Sequence, residues 1–299
     1  MADSSDRVDT LVAEASALVE VKRFPEAIER AREALIIAPS DPRPFCEWSR
    51  ALYGQGKYAE AATKAEEAIG LDPQSPRGFR LKTAALGSLA RQGTKRDRSR
   101  IGAESLTAAR EALRLTPNDP AALVGLAQAL SLVNDNREAN AVVKRAIQRA
   151  PNSVATWVAA SVVALASKNW NEAISASQRA LAIDPGNQAA LNNLGVALSK
   201  SGKRREGAEV LVRAAQADPQ SATVRRNLSK AGLRWMRLAI LIVLLPIAVF
   251  IHGGIALYLV FSIGSNILLS RSRQLALRLE RWAAPVAMFF AKRPKDSSP

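Results

Sequence analysis

A proline recurs through most of the chain at intervals of 34 residues, with one interval of 44. An alanine stands five residues before each of these six prolines, and mostly small residues stand eight and twelve residues before them. Proline cannot continue a helix, and it disfavours helical backbone at the residue before it. Six copies in phase predict a repeat of paired helices, each pair ending at Pro39, Pro73, Pro117, Pro151, Pro185 or Pro219.

The repeats resemble the tetratricopeptide repeat family, in which a 34-residue helix-turn-helix carries small residues where its helices cross and a proline after the second helix. The clearest copies are RFPEAIERAREALIIAP at 23–39, KYAEAATKAEEAIGLDP at 57–73 and NWNEAISASQRALAIDP at 169–185. Trp157 and the pair Leu194-Gly195 match positions of the first helix. The resemblance implies an all-α solenoid, a right-handed superhelix of helix hairpins with a concave groove.

The resemblance covers six repeats over residues 8–221, and the rest of the chain divides around them. Residues 1–7 are predicted to be an N-terminal tail, and residues 222–237 a capping helix and a linker. The third repeat carries about ten extra residues, 93–102, between its helices. Their Gly, Ser and clustered like charges favour a solvated loop. The alternative is a docking site for an acidic partner, formed by Arg91, Lys95, Arg96, Arg98 and Arg100.

Family members line the groove with the second, fifth, sixth and ninth positions of each first helix. In this sequence those positions are basic toward both ends of the groove and small or apolar in its middle. The resemblance therefore implies a protein partner, expected to be an extended or helical peptide with an apolar centre and acidic flanks. Cys46 lies at one of these positions and is interpreted as a small packing residue. The predicted partner-binding residues are Arg43, Arg50, Arg77, Arg80, Gln128, Val158, Val162, Asn192, Asn193, Arg226, Asn227 and Lys230.

Residues 238–270 contain no Asp, Glu, Lys or Arg. An apolar stretch of 18 or more residues predicts a transmembrane segment. As one helix this stretch would be about 50 Å long, against a hydrocarbon core of about 30 Å. Gly253 and Gly254 near its middle favour a turn. The segment is therefore predicted to be a helical hairpin, with a single span as the alternative.

Basic residues flank the apolar run on both sides, which favours a cytoplasmic position for both ends. Residues 271–299 are predicted to form a basic amphipathic tail against anionic lipid head groups. The first ten residues lack the basic start and apolar stretch of a secretory signal, so the repeats are expected in the cytoplasm. The predicted residues at the membrane interface are Arg234, Arg237, Arg271, Arg273, Arg278, Arg281 and Trp282.

Residue usage argues against catalysis and metal binding. One Cys and one His exclude a disulfide framework and a four-ligand zinc site. No phosphate-binding loop or nucleophile motif is present, and the repeats contain no His to act as a general base. We therefore expect no enzyme activity, no catalytic, cofactor-binding or metal-ligating residue and no small-molecule substrate.

The net charge of +15 raises the possibility of a nucleic-acid partner. Residues 231–299 hold nine basic and two acidic side chains, which leaves +8 for the repeats and their cap. The repeats lack the interleaved aromatic residues that stack on bases, so nucleic-acid binding is the minor alternative.

The expected function is a membrane-anchored scaffold or adaptor that holds a protein partner at the cytoplasmic face of a membrane. Abundant Arg and Ala are typical of GC-rich bacterial genomes, which favours the bacterial plasma membrane over an organelle. A second interpretation is a structural subunit of a membrane complex, whose hairpin packs on the transmembrane helices of a transporter or an enzyme.

Overall fold

The computed structural model describes residues 2–217 and Asn227. Residues 2–217 form twelve α-helices, paired into six hairpins in the order that the repeats predict. The bounds are α1 Ala2–Glu20, α2 Phe24–Ile37, α3 Pro42–Gly54, α4 Tyr58–Leu71, α5 Pro76–Gln92, α6 Lys95–Leu115, α7 Pro120–Leu132, α8 Asn136–Arg149, α9 Val154–Ala166, α10 Trp170–Ile183, α11 Gln188–Lys200 and α12 Arg204–Ala217.

The ends of the second helices follow from the repeated prolines. In α2, α4, α6 and α8 the residue before the proline leaves the helical region, with ψ between 70° and 86°. Its amide bonds to the carbonyl of the alanine four residues earlier, which closes the last turn. The prediction that each helix pair ends at its proline is therefore confirmed for these four second helices.

Small residues occupy the crossings between the helices of each hairpin. Ala27, Ala61, Ser105, Ala139 and Ala173, each twelve residues before a proline, have no exposed surface. The Ser105 hydroxyl donates to the Thr83 carbonyl across the crossing at 3.1 Å. Small side chains let the backbones approach closely, and the prediction for these positions is confirmed.

The helices fall into two compact units. The first unit extends to Ile183 and contains α1–α10, whose core is built mainly from alanine, leucine and valine. The second unit begins at Asp184 and contains α11 and α12, which pack on each other.

Eight of the ten extra residues of the third repeat, 95–102, are helical, so the prediction of a solvated loop at 93–102 is wrong. Compared with the other first and second helices from α2 onward, α5 is four residues longer and α6 seven residues longer. The connection between them shrinks to Gly93 and Thr94. Thr94 and Asp97 form a capping box that starts α6, and Ile101 is buried in the core. These local contacts outweigh the clustered positive charge.

The predicted N-terminal tail, residues 1–7, also differs from the structure, because α1 begins at Ala2. Asp6 lies near the start of this helix, where a negative charge suits the helix dipole. Val8 and Leu11 are buried against Ala34 of α2, which provides tertiary support for the helix.

The predicted capping helix at 222–237, apart from Asn227, lies outside the described residues, as do the apolar run at 238–270 and the tail at 271–299. In the part of the chain that the structure describes, no helix has the length and apolar character needed to cross a bilayer.

Candidate peptide-binding groove

The first helices line the inner face of the first unit. Each of α3, α5 and α7 contacts the first helices on both sides of it, whereas the second helices pack on first helices rather than closely on one another. A layer of closely spaced helices lies on the inside of the bend, so the surface of α1, α3, α5, α7 and α9 is concave. The predicted groove residues of the first unit lie on four of these helices, α3, α5, α7 and α9.

Near the N-terminal end of the groove, on α3, Arg43 and Arg50 form ion pairs with acidic residues of the chain itself. Arg43 forms ion pairs with Asp9 at 2.7 Å and with Asp41 at 2.6 Å. Arg50 forms an ion pair with Glu20 and donates to the Ser16 hydroxyl at 3.0 Å. These contacts join α1 to α3 and neutralise both predicted ligand-binding cations.

A buried carboxylate holds the next arginine of the groove. Glu47 is only 1% exposed, yet it forms ion pairs with Arg50, at 2.7 Å, and with Arg77 of the following repeat. Arg80, one turn further along α5, forms an ion pair with Asp119 at 2.5 Å. All four predicted groove arginines of the first unit are therefore paired, which removes the main reason to expect acidic flanks on the partner.

Cys46 precedes this buried carboxylate and is 4% exposed. Burial raises the pKa of its thiol to about 11. The thiol is therefore protonated near neutral pH and is a poor nucleophile, which agrees with its interpretation as a packing residue.

A cavity of about 240 Å³ lies between α5, α6 and α7. It is bounded mainly by small side chains and glycines, and its polar boundary includes Arg80 and Gln128. A Cβ built on Gly125 would lie 3.3 Å from Thr83, and one built on Gly87 would lie 3.8 Å from Ser105. The space thus exists because these helix positions carry little or no side chain; the small residues include Ala84, Gly87, Ala109, Ala112, Ala121, Ala122, Gly125 and Ala129.

Gln128 offers the cavity an uncommitted carboxamide. Its side chain is half-buried and has no hydrogen-bond partner within residues 2–217. A carboxamide can both donate and accept, so it can pair with the backbone of an extended peptide. Beyond it, the half-buried Val158 and Val162 continue the predicted apolar middle along α9.

In the second unit, the structure brings three predicted groove asparagines together. The Asn227 side-chain amide donates to the side-chain oxygen Oδ1 of Asn192 at 2.8 Å, and Asn193 lies beside them, 8% exposed. Arg226 and Lys230 lie outside the described residues.

The predicted basic residues of the insertion lie at the exposed end of the α5–α6 hairpin. Arg96, Arg98 and Arg100 are exposed and form no ion pair with any described residue. Arg91 donates to the Ser88 hydroxyl at 3.2 Å. The unpaired positive charge of the first unit therefore includes a cluster at this tip, whereas the groove arginines are paired.

Within residues 2–217 and Asn227, no group of three or more His, Cys, Asp and Glu side chains comes together in a way that could hold a metal ion.

Solved structures with this fold include a thermophilic TPR protein of Thermus thermophilus, which is 19% identical with a TM-score of 0.56. The match covers 64% of this chain and 98% of the Thermus chain. A tetratricopeptide repeat protein of Parabacteroides merdae is 12% identical with a TM-score of 0.54, and the match covers 77% of this chain and 88% of the Parabacteroides chain. The Pseudomonas aeruginosa protein pilF is 14% identical with a TM-score of 0.52, and the match covers 76% of this chain and 99% of the pilF chain. At these identities the likeness shows the fold alone.

None of the curated proteins matches the sequence. One family model for the tetratricopeptide repeat matches residues 12–76, 46–97 and 133–188, and a second matches residues 164–231. Together they cover more than half of the chain. The sequence pattern, the paired helices and these matches agree, and the chain belongs to the tetratricopeptide repeat family.

Proposed function

We propose that the chain is a membrane-anchored scaffold that binds a peptide segment of a protein partner in the groove of α5, α7 and α9. The repeat family supports a protein-interaction scaffold. The partner is held beside the membrane, where its effective concentration is raised without any chemical step. The proposed location is the cytoplasmic face of a bacterial plasma membrane.

The cavity beside Gln128 carries this proposal. Its volume of about 240 Å³ is below the usual range for small-molecule sites, and it suits one bulky apolar side chain. Gln128 can bind the peptide backbone next to that side chain. Because Arg77 and Arg80 already bind Glu47 and Asp119, recognition depends on apolar contact and backbone hydrogen bonds rather than on acidic residues.

Filling the cavity is expected to weaken peptide binding at least tenfold. Ala84 lines the cavity and is exposed, so the indole of Ala84→Trp can fill the cavity without displacing buried core residues. Peptides selected from a random display library on the full chain in detergent are titrated against both forms by fluorescence anisotropy. We expect the selected peptides to share a bulky apolar residue.

Ala141→Trp is the matched control, because Ala141 is exposed on the second helix α8 and does not line the cavity. It should leave peptide affinity unchanged. Equal affinity of the wild type and Ala84→Trp would place binding elsewhere and contradict the proposed site.

The anchoring part of the proposal is supported by the apolar run at 238–270 and its basic flanks. We expect the full chain to stay with membranes after washing at alkaline pH, which strips peripheral proteins. Release by this wash would refute the anchor.

For topology, a hairpin predicts that Ser297→Cys, in a Cys46→Ala background, reacts with an impermeant maleimide only after cells are lysed. Labelling in intact cells would show a single span instead. Ser40→Cys, exposed in the repeats, is the control and should be protected in intact cells.

A further inference from the structure

The end of the α5–α6 hairpin, residues 91–100, is a second candidate interaction surface, which we call the basic hairpin tip. It contains five basic side chains and one acidic one. Arg96, Arg98 and Arg100 are exposed and have no ion-pair partner among the described residues. The groove arginines differ, because each is bound by a carboxylate of the chain.

The tip projects beyond the corresponding ends of the other hairpins in the first unit. At their opposite ends α4, α6 and α8 are in register, since each closes on the equivalent alanine, Ala68, Ala112 or Ala146. The four extra residues of α5 therefore extend the hairpin by about 6 Å, at about 1.5 Å per residue. A projecting surface can lie on a flat partner that the concave groove cannot reach.

The tip is also held firmly in place. Thr94 caps α6 through Asp97, and Ile101 is 8% exposed in the same core cluster as Leu132. A Cβ on Gly102 would lie 3.1 Å from the Leu132 side chain, so α6 packs closely on the end of α7. The arginines are therefore presented from a fixed helical base rather than from a flexible loop.

This arrangement concentrates like charge. Arg91 on α5 and Arg98 on α6 carry like charges on the two arms of the hairpin, and the α6 arginines lie near the start of a helix, where the dipole is itself positive. Asp97 is the single acid of the segment; it forms the cap with Thr94 and attracts Arg100, so four of the five basic side chains gain little from it. An anionic surface would relieve this repulsion.

We propose that the basic hairpin tip binds the anionic lipid head groups of the membrane that holds the chain. This inference rests on the proposed anchoring, which brings such a surface within reach. Basic side chains near an anionic leaflet gain about fivefold in binding each, and the gain falls within a Debye length. The tip thus supplies a second, salt-sensitive contact between the repeats and the bilayer.

The test places a fluorophore on the tip of the full chain. Ser99 is exposed between the arginines, so Ser99→Cys is labelled in a Cys46→Ala background. The protein is reconstituted in phosphatidylcholine vesicles with or without 30% phosphatidylglycerol, both containing a head-group spin-label quencher. We expect at least twofold stronger quenching in the anionic vesicles, and its loss in 0.5 M NaCl.

The triple variant R96Q/R98Q/R100Q is expected to reduce quenching in anionic vesicles to the level of neutral ones. The matched control K144Q/R145Q/R149Q removes the same charge from exposed positions of α8 and should leave quenching unchanged. Equal loss in both triple variants would show a general effect of net charge and overturn the assignment to the tip.

The two proposals fail in distinguishable ways. If the chain stays in neutral vesicles after an alkaline wash but the probe is not quenched in anionic ones, the tip inference is overturned and the anchor stands. If the wash releases the chain but anionic vesicles bind it through the three arginines, the anchor fails and the lipid contact stands. Arginine-dependent binding of a labelled single-stranded RNA, without quenching by anionic vesicles, would overturn the lipid assignment.

Discussion

Glu47→Gln is expected to lower the free energy of unfolding of the first unit by about 2 kcal/mol. Glu47 is 1% exposed and accepts from the guanidinium groups of Arg50 and Arg77. Glutamine keeps the shape but turns one acceptor into an NH₂ group, which then faces arginine donors. Hydrogen bonds to charged groups contribute about 1.5–3 kcal/mol each, and the partial exposure of Arg77 places the loss toward the lower part of that range.

The measurement is hydrogen exchange by mass spectrometry on the full chain, because repeat proteins lose structure locally as well as globally. We expect the loss of protection to be greatest in α3 and α5, which Glu47 joins. Glu29→Gln is the control: Glu29 is exposed and has no ion-pair partner among the described residues, so its change should stay within about 0.5 kcal/mol.

A double-mutant cycle then separates the pair energy from the effect of burial. Arg77→Gln in the Glu47→Gln background should cost less than in the wild type. If Glu47→Gln costs no more than Glu29→Gln, or if the two changes add, the ion pair does not stabilise the packing of the second repeat on the third.

These ion pairs mark the limit of what the sequence predicts for the groove. Helical period places Arg43, Arg50, Arg77 and Arg80 on the first helices, and the structure confirms that placement. Their charge balance depends on partners in other helices, such as Glu47 for Arg77 and Asp119 for Arg80, 30 and 39 residues away. Which residues pair across helices depends on how the hairpins stack. The residue pattern within a single helix does not show that stacking.

The third repeat shows the opposite case, in which a local signal outweighs composition. Five basic residues within 91–100 favour a solvated loop, but Thr94 and Asp97 have the spacing of a capping box. That signal, followed by the apolar Ile101, predicts a helix start at the position the structure shows. For the cavity between α5, α6 and α7 the sequence holds only a weak signal, namely Gly87 and Gly125 within helices. A glycine in a helix indicates a cavity only when it is known which helices pack against it.

Gly207→Ala is expected to lower the free energy of unfolding of the second unit by about 1–2 kcal/mol, although alanine is the better helix former. A Cβ at Gly207 would lie 2.7 Å from the Gly195 carbonyl oxygen and 2.8 Å from the Ser199 amide nitrogen. Both atoms belong to the backbone of α11, so the helices must separate. Overpacking of this kind costs about 1–3 kcal/mol or more, and the gain in helix propensity, about 1 kcal/mol, offsets only part of it.

The other repeats explain why this position is special. Ala27, Ala61, Ala139 and Ala173 stand at the equivalent place and are fully buried, so those four crossings accommodate a Cβ. In the last hairpin the glycine permits a closer approach, in which the Ser199 hydroxyl also bonds to the Gly195 carbonyl at 2.8 Å. Alanine is therefore expected to be destabilising at Gly207, although alanine is the native residue at the equivalent position of four other repeats.

Gly70→Ala provides the matched control, since Gly70 is exposed in α4 and a Cβ there would meet no atom within 4 Å. It should stabilise its helix by about 0.5–1 kcal/mol through propensity alone. Hydrogen exchange of the full chain should show weaker protection in α11 and α12 for Gly207→Ala and stronger protection in α4 for Gly70→Ala. If both changes raise protection, the contact between α11 and α12 is looser than its backbone distances indicate, because a close crossing cannot accept the methyl group without separation.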